Sequence, residues 1–112
     1  MGLDRLDDPD YPAMAMGQAA ELLDVEPAFL RSLDTAGVVH PLRSAGGHRR
    51  YSRRQLEQAA RLRTLLDDGH PLGSASWIDR LRGELGQAHA EIERLRAELA
   101  ALRTDDTSEQ RP

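Results

Sequence analysis

The chain has 112 residues, of which 39% are hydrophobic and only four are aromatic, so it can hold one small domain with a modest core. It contains no cysteine, which excludes disulfides, thiolate metal sites and cysteine redox chemistry. No apolar run approaches the roughly 20 residues that a membrane span needs. The N-terminus lacks the apolar core of a signal peptide, so we expect a cytoplasmic protein without a membrane segment.

The net charge of −4 conceals a strong segregation of charge along the chain. Residues 1–30 carry seven acids and one arginine, net −6, whereas residues 31–63 carry eight arginines and two acids, net +6. Residues 64–112 carry six arginines and ten acids, net −4. A basic block between acidic ends indicates that the middle third meets an anionic partner.

The sequence pattern of the first third of the chain predicts a pair of helices. Residues 1–12 are acidic, with two prolines and little periodicity, so we expect them to lack fixed structure. Apolar residues recur at helical spacing from Met16, and a turn at Asp24–Glu26 precedes a second helix over Pro27–Thr35. The leading proline suits a first helical turn, and Gly37 suits the position just beyond a helix end. Two helices joined by so short a turn predict a helix-turn-helix.

The next segment predicts a two-stranded ribbon, or wing. Val38-Val39 and Arg50-Tyr51 flank a flexible tip at Pro41–Gly47. A capping-box pattern at Ser52, with glutamine three residues later, predicts that a helix begins there. We expect that helix to end near Asp68-Gly69, after which a short helix restarts the chain.

A heptad pattern dominates the C-terminal third. Apolar residues alternate three and four positions apart without a break: Ile78, Leu81, Leu85, Ala88, Ile92, Leu95, Leu99 and Leu102. A solitary helix gains nothing from such a stripe, so we expect a homodimeric coiled coil. Glu91 with Arg96, and Glu98 with Arg103, would attract across a parallel pair, whereas an antiparallel pair would place like charges together. The charge pattern therefore favours the parallel arrangement.

The predicted fold is mainly α, a winged helix-turn-helix with a short β-wing followed by a coiled-coil helix. Its predicted divisions are a disordered acidic segment 1–12, a DNA-binding domain 13–77, a dimerisation helix 78–103 and a disordered tail 104–112.

The basic block offers side chains suited to nucleic acid. Arg31 faces outward on the second predicted helix and could pair with guanine or hold a phosphate, although an ordinary exposed arginine would look the same. Arg49 and Arg50 point to opposite faces of an extended segment, so we expect one to face DNA while the other packs or braces. The candidate DNA-binding residues are Arg31, Ser32, Thr35, Arg43, His48, Arg49, Arg50, Tyr51, Arg53 and Arg54.

Two assignments in this set depend on context. Arg53 and Arg54 open a helix, where cations oppose the positive dipole end, so an anionic partner would offset their cost. Tyr51 is equally compatible with a core position and with a phosphate contact.

Other chemistries find little support. The four histidines lack metal-ligand spacing, and no nucleophile has a plausible base partner. We expect no metal, no cofactor and no enzymatic activity.

This order of motifs resembles the MerR family of bacterial transcription regulators, in particular its heat-shock-repressor and developmental-regulator branches. The resemblance rests on Leu30-Arg31 with Asp34, on Gly37-Val38-Val39, on Gly46-Gly47-His48-Arg49-Arg50-Tyr51-Ser52 and on the helix into Asp68-Gly69. It implies a winged helix-turn-helix homodimer on palindromic promoter DNA, with Arg31 and Arg49 in contact with the duplex. The family's effector cysteines are absent, and Ser32 and Leu33 replace two frequent aromatics. Family dimers commonly pair antiparallel, against the charge pattern here.

Two functions remain open. The first is a sequence-specific, homodimeric regulator with its recognition helix in the major groove and its wing on the adjacent groove or backbone. The second is an architectural or anchoring DNA-binding protein whose coiled coil recruits a protein partner. A pure protein adaptor would leave the arginine block without a purpose. RNA polymerase or another protein is a further candidate partner.

Overall fold

The computed structural model describes residue 5 and residues 7–109 of the chain. Its elements run in the order β1 (Met14–Ala15), α1 (Met16–Leu23), α2 (Pro27–Thr35), β2 (Leu42–Arg43), β3 (Arg49–Tyr51), α3 (Arg53–Asp67) and α4 (Leu72–Glu109). The fold is mainly helical with a small antiparallel sheet, as predicted. The chain divides after Ser76 into two compact units.

The helix pair α1–α2 has the predicted bounds because its ends are chemically specified. α1 is capped at its C-terminus by Asp24, which adopts a left-handed conformation with φ of 54° and donates its N–H to Ala20 O. Pro27 occupies the first turn of α2. Beyond α2, Gly37 has φ of 75°, a conformation that costs a residue with a Cβ roughly 1–2 kcal/mol. The sharp turns hold α1 against α2.

The core of the first unit draws on every helix and on the sheet. A fully buried leucine contributes about 1.5–3 kcal/mol relative to an exposed one. The buried apolar residues are Ala19, Ala20, Leu30, Leu33, Val39, Tyr51, Leu56, Ala59, Leu62, Leu65 and Ala75. The core thereby holds α2, α3 and β3 by their buried faces, and their opposite faces stay accessible to solvent.

The sheet differs from the predicted two-stranded ribbon. In the described residues it has three strands in the order β1-β3-β2, and Met14 of β1 pairs with Tyr51. The strand opposite β3 on the wing side is Leu42–Arg43, so the prediction that Val38-Val39 forms this strand is wrong. The N–H of Val39 instead donates to Leu33 O at 3.3 Å, which directs Val39 into the core. Strand β1 has only two residues, too few to show alternation.

The last helix, α4, is continuous over 38 residues. The sequence predicts a separate short helix before residue 78 and a frayed tail from residue 104, and both predictions are wrong within the described residues. At 1.5 Å per residue α4 is about 57 Å long. The leucines and isoleucine of the seam from Leu81 onward are 43–60% exposed in this single chain.

The segment before β1 is expected from sequence to lack fixed structure, and residues 1–4 and 6 lie outside the described residues. Its described part hydrogen-bonds to α3, where the N–H of Arg54 donates to Pro9 O at 2.9 Å. Residues 110–112 of the predicted tail also lie outside the described residues.

Candidate nucleic-acid interface

A single carboxylate joins the second helix to the wing. Asp34 lies in the last turn of α2 with its side chain 17% exposed. Its Oδ2 accepts a hydrogen bond from Arg49 Nε at 2.8 Å, and its Oδ1 lies 3.1 Å from His40 Nδ1. Arg43 Nη2 lies 3.7 Å from Oδ2. One side chain of α2 therefore contacts both strands of the wing and the loop before them.

These partners keep Asp34 ionised. The hydrogen bond from Arg49, and then that from His40, hold the pKa of Asp34 below its ordinary value, against a smaller opposing effect of burial. Hydrogen bonds to a charged group contribute about 1.5–3 kcal/mol each when they are shielded from water. The Arg49 side chain is 24% exposed, so its bond to Asp34 is the strongest of the three.

The tip of the wing is a hydrogen-bonded turn. The N–H of Gly47 donates to Ser44 O at 2.8 Å, and the N–H of Ser44 donates to His48 O at 2.8 Å. Gly47 has φ of 81°, which favours glycine there. Arg43 Nη1 also donates to Gly47 O at 3.0 Å. The predicted flexible tip thus has a defined turn.

The wing and the start of α1 enclose a groove of about 440 Å³. Its lining residues are Ala15, Met16, Gly17, Gly47, His48, Arg49 and Arg50. The first N–H groups of a helix lack intrahelical partners and attract anions. Arg31 Nη1 lies 3.8 Å from Met16 Sδ, which brings the exposed arginine of α2 to the same groove. Three segments distant in sequence thus form one basic surface, which we call the arginine groove: Met16, Gly17, Arg31, His48, Arg49 and Arg50.

Three of the candidate residues, Tyr51, Ser32 and Thr35, are not among those that line this groove. Tyr51 is 1% exposed, and its hydroxyl is buried without a hydrogen-bond partner among the described residues. Burial raises the pKa of Tyr51, so the phenol stays neutral. The interpretation of Tyr51 as a phosphate contact is therefore wrong, and the residue belongs to the core. Ser32 is exposed, but its hydroxyl donates to Phe29 O at 2.6 Å. Thr35 is exposed on α2.

The two arginines at the start of α3 have partners within the chain. Arg54 Nε donates to Asp10 Oδ1 at 2.7 Å. Arg53 Nη2 donates to Asp7 O at 3.4 Å, and its Nε lies 4.0 Å from Glu57 Oε1. The acidic segment before β1 therefore lies over these cations.

Sequence reasoning did not identify the roles of Asp34, His40 or the start of α1. Asp34 and Arg49 are 15 residues apart, a separation that matches neither helical nor strand periodicity. One signal was available in the sequence. Asp34 lies in the last turn of α2, where an acid is unfavourable beside the negative end of the helix dipole, and no basic residue follows it at i+4. An acid in that position indicates a cationic partner elsewhere in the fold.

Helix α4, taken by itself, satisfies several of its charges internally. Arg94 donates to Glu91 Oε2 at 2.9 Å and to Glu98 Oε1 at 2.6 Å. Arg96 donates to Glu93 at 3.0 Å. Three of the four charges that favour a parallel pair, Glu91, Arg96 and Glu98, thus have partners in their own helix, and the orientation stays a prediction.

Neither a metal site nor a membrane-spanning helix is found among the described residues. Within residues 5 and 7–109 no group of three or more acidic or histidine side chains could hold a metal ion. Nor does this part of the chain contain a helix long and apolar enough to cross a membrane.

Known proteins are similar to this chain in sequence and in fold. The family described as MerR HTH family regulatory protein matches residues 14–81. The putative heat shock protein HspR of Streptomyces coelicolor is 37% identical over 93 residues, which are 82% of this chain and 59% of that protein. This chain thus spans about three-fifths of that relative's length.

Two solved structures have the same fold. A MerR family transcriptional regulator from Bacillus cereus superposes with a TM-score of 0.56 at 24% identity, over 84% of this chain and 75% of that one. HiNmlR, a MerR family regulator lacking the sensor domain and crystallised on promoter DNA, gives a TM-score of 0.56 at 20% identity, over 81% and 76%.

Proposed function

Because this chain belongs to the MerR family of helix-turn-helix regulatory proteins, we propose that it binds promoter DNA as a homodimer and regulates transcription in the cytoplasm, without catalysis. Helix α2 enters the major groove, and the wing lies on the adjacent groove or backbone. The observation that carries this proposal is the arginine groove, where cations from α2 and the wing lie beside the N-terminal end of α1. HiNmlR, which has this fold, was crystallised on promoter DNA.

The proposed roles follow from exposure and partners. Arg31 is exposed on α2 and reads a base edge, for which a guanidinium bidentate to guanine is well suited. Arg49 uses its Nε for Asp34, and presents the remaining edge of its guanidinium to the DNA backbone or minor groove. Arg50 and His48 line the groove and contact phosphate. Ser32, Thr35 and Arg43 are exposed and make further DNA contacts.

The proposed dimer uses the α4 seam, from Ile78 to Leu102. In the single chain the leucines and the isoleucine of this seam from Leu81 onward are 43–60% exposed, and they form an apolar stripe that a second copy would cover. We propose divisions at residues 13–77 for DNA binding and 78–103 for pairing. The chain has no cysteine, so an Arg103→Cys variant tests orientation. A parallel pair gives efficient oxidative crosslinking, and an antiparallel pair crosslinks only through a mid-coil control cysteine.

The function is tested by titrating duplexes selected from a random pool, and scrambled duplexes, against three single variants. Arg49→Ala should weaken binding to both and lower the salt slope by about 0.9 for each phosphate that the variant no longer neutralises. Arg31→Ala should reduce discrimination between them by roughly 5- to 150-fold, the equivalent of about 1–3 kcal/mol. Arg80→Ala, on α4 and outside the arginine groove, is the matched control.

If Arg31→Ala and Arg49→Ala both behave like the Arg80→Ala control, the assignment of the arginine groove fails. Equal wild-type affinity for selected and scrambled duplexes would instead favour an architectural DNA-binding protein.

A further inference from the structure

The start of α3 is covered by residues 7–10 of the same chain, which we call the acidic segment. The covering is specific: the backbone N–H of Arg54 donates to Pro9 O at 2.9 Å, and its side chain donates to Asp10 Oδ1 at 2.7 Å. Arg53 reaches the carbonyl of Asp7 at 3.4 Å. Backbone and side chain of the segment thus both bind this helix start.

The contacts resemble those that a phosphate group would make. A helix N-terminus with two arginines attracts an anion through its dipole and its cations together. Asp10 occupies that position, and its hydrogen bond and charge, followed by the charges of Glu57 and Asp8, raise the pKa of Arg54. The carboxylate therefore meets the same guanidinium that a nucleic-acid backbone would meet.

The contact is built to be exchangeable. The Arg54 and Asp10 side chains are 64% and 66% exposed, so water and salt screen their attraction. A polyanion with many phosphates can displace a single exposed carboxylate. The displaced aspartates would remain tethered nearby and repel the backbone that replaced them.

The acidic segment also lies outside the part of the chain that defines the family. The family match begins at residue 14, whereas the segment ends at residue 10. Its acids contribute to the net −6 of residues 1–30, directly before the +6 block. The covering thus comes from residues outside the matched region.

We infer that the acidic segment is an intramolecular competitor of DNA phosphate at Arg53 and Arg54, and that it lowers the affinity for every duplex by a similar factor. This inference rests on the proposed DNA-binding function. Phosphate contacts supply most of non-specific binding. An internal competitor for them therefore suppresses binding to arbitrary sequence, while base contacts from α2 keep their discrimination.

The test compares two double variants of the full chain with the same change in net charge. Asp8→Asn/Asp10→Asn neutralises two of the three aspartates of the acidic segment, and Glu93→Gln/Asp105→Asn neutralises two exposed acids on α4. Affinity for a scrambled duplex is measured by fluorescence anisotropy over a range of salt. We expect the first variant to bind about three- to ten-fold tighter than the second, with a salt slope steeper by about 0.9 for each additional phosphate that it neutralises.

A third variant ties the effect to its target. In an Arg53→Ala/Arg54→Ala background, neutralising the acidic segment should produce no increase in affinity beyond that of the α4 control. The inference is overturned if both double variants bind equally, or if the increase persists without these arginines. When the wild type binds duplex but the two double variants do not differ, only this inference fails. When neither the wild type nor any variant binds, the proposed function fails with it.

Discussion

Replacing Asp34 with asparagine removes one negative charge while it preserves the size of the side chain. In the folded protein Asp34 accepts a hydrogen bond from Arg49 at 2.8 Å, in a site where the two side chains are 17% and 24% exposed. Asparagine can still accept one bond, but the charge-assisted part of the interaction is lost. His40 and Arg43 are 67% and 53% exposed, so their contributions are screened by solvent and small.

The expected loss follows from the Arg49 bond alone. A charged hydrogen bond contributes about 1.5–3 kcal/mol when it is shielded, and partial exposure here reduces that to about 1–2 kcal/mol. For a folded domain of 60–100 residues, each kcal/mol corresponds to roughly 4–8 °C in melting temperature. We therefore expect Asp34→Asn to lower the melting temperature by about 5–15 °C, and to weaken duplex binding because the wing loses its fixed position on α2.

A double-mutant cycle isolates this interaction. Asp34→Asn and Arg49→Ala are made singly and together, and the free energy of unfolding is measured by urea titration. We expect a coupling energy of about 1–2 kcal/mol. The Arg63–Asp67 pair is the matched control: it lies at 2.6 Å but is 39% and 63% exposed on one face of α3, and such pairs couple by about 0.3–0.5 kcal/mol. Strict additivity of the Asp34 and Arg49 changes would refute the reasoning.

Three further predictions concern the same unit. Because the pKa of Asp34 is lowered, the stability that this carboxylate contributes is fully present above the ordinary pKa of 3.8 and is lost as the pH falls through the lowered value. Thermal unfolding of the wild type between pH 6 and pH 2.5 should therefore show a larger drop in melting temperature than Asp34→Asn shows, and identical pH profiles would contradict the prediction. Tyr51→Phe removes a buried hydroxyl that has no partner among the described residues, so we expect unchanged or slightly higher stability and unchanged duplex affinity by anisotropy; weaker binding would restore Tyr51 as a phosphate contact. Gly47→Ala places a Cβ at φ of 81° and should lower the free energy of unfolding by about 1–2 kcal/mol. Gly17→Ala, in α1 with nothing within 4 Å of the added Cβ, should raise it by about 0.5–1 kcal/mol. Urea titration of both variants checks the contrast, and equal effects would show that backbone conformation does not decide the outcome.

The helices of the first unit could be predicted because their ends carry local signals. Pro27 at the first turn and Gly37 just past the last one define α2 without reference to the rest of the chain. Ser52 begins α3 for the same reason: its hydroxyl accepts the Gln55 N–H at 3.1 Å, and the Gln55 side chain accepts the Ser52 N–H at 3.0 Å. Such reciprocal bonds involve residues only three positions apart.

The site was less predictable because its contacts are not local. The Asp34–Arg49 bond and the approach of Arg31 to Met16 each join residues 15 positions apart, across separate elements. The covering of Arg54 by Asp10 spans 44 positions. No periodicity encodes such separations, and charge alone could equally well describe a solvated surface.

The tie between Asp34 and the wing has a thermodynamic consequence for association. A loop that must be ordered when its ligand arrives diminishes affinity through lost conformational freedom. Here Arg49 and Gly47 are already held by Asp34 and by the hydrogen-bonded turn, so that ordering has taken place during folding. A duplex then docks on a surface that is already ordered, so no interaction free energy is spent on ordering this loop. That free energy instead slows the dissociation of the complex.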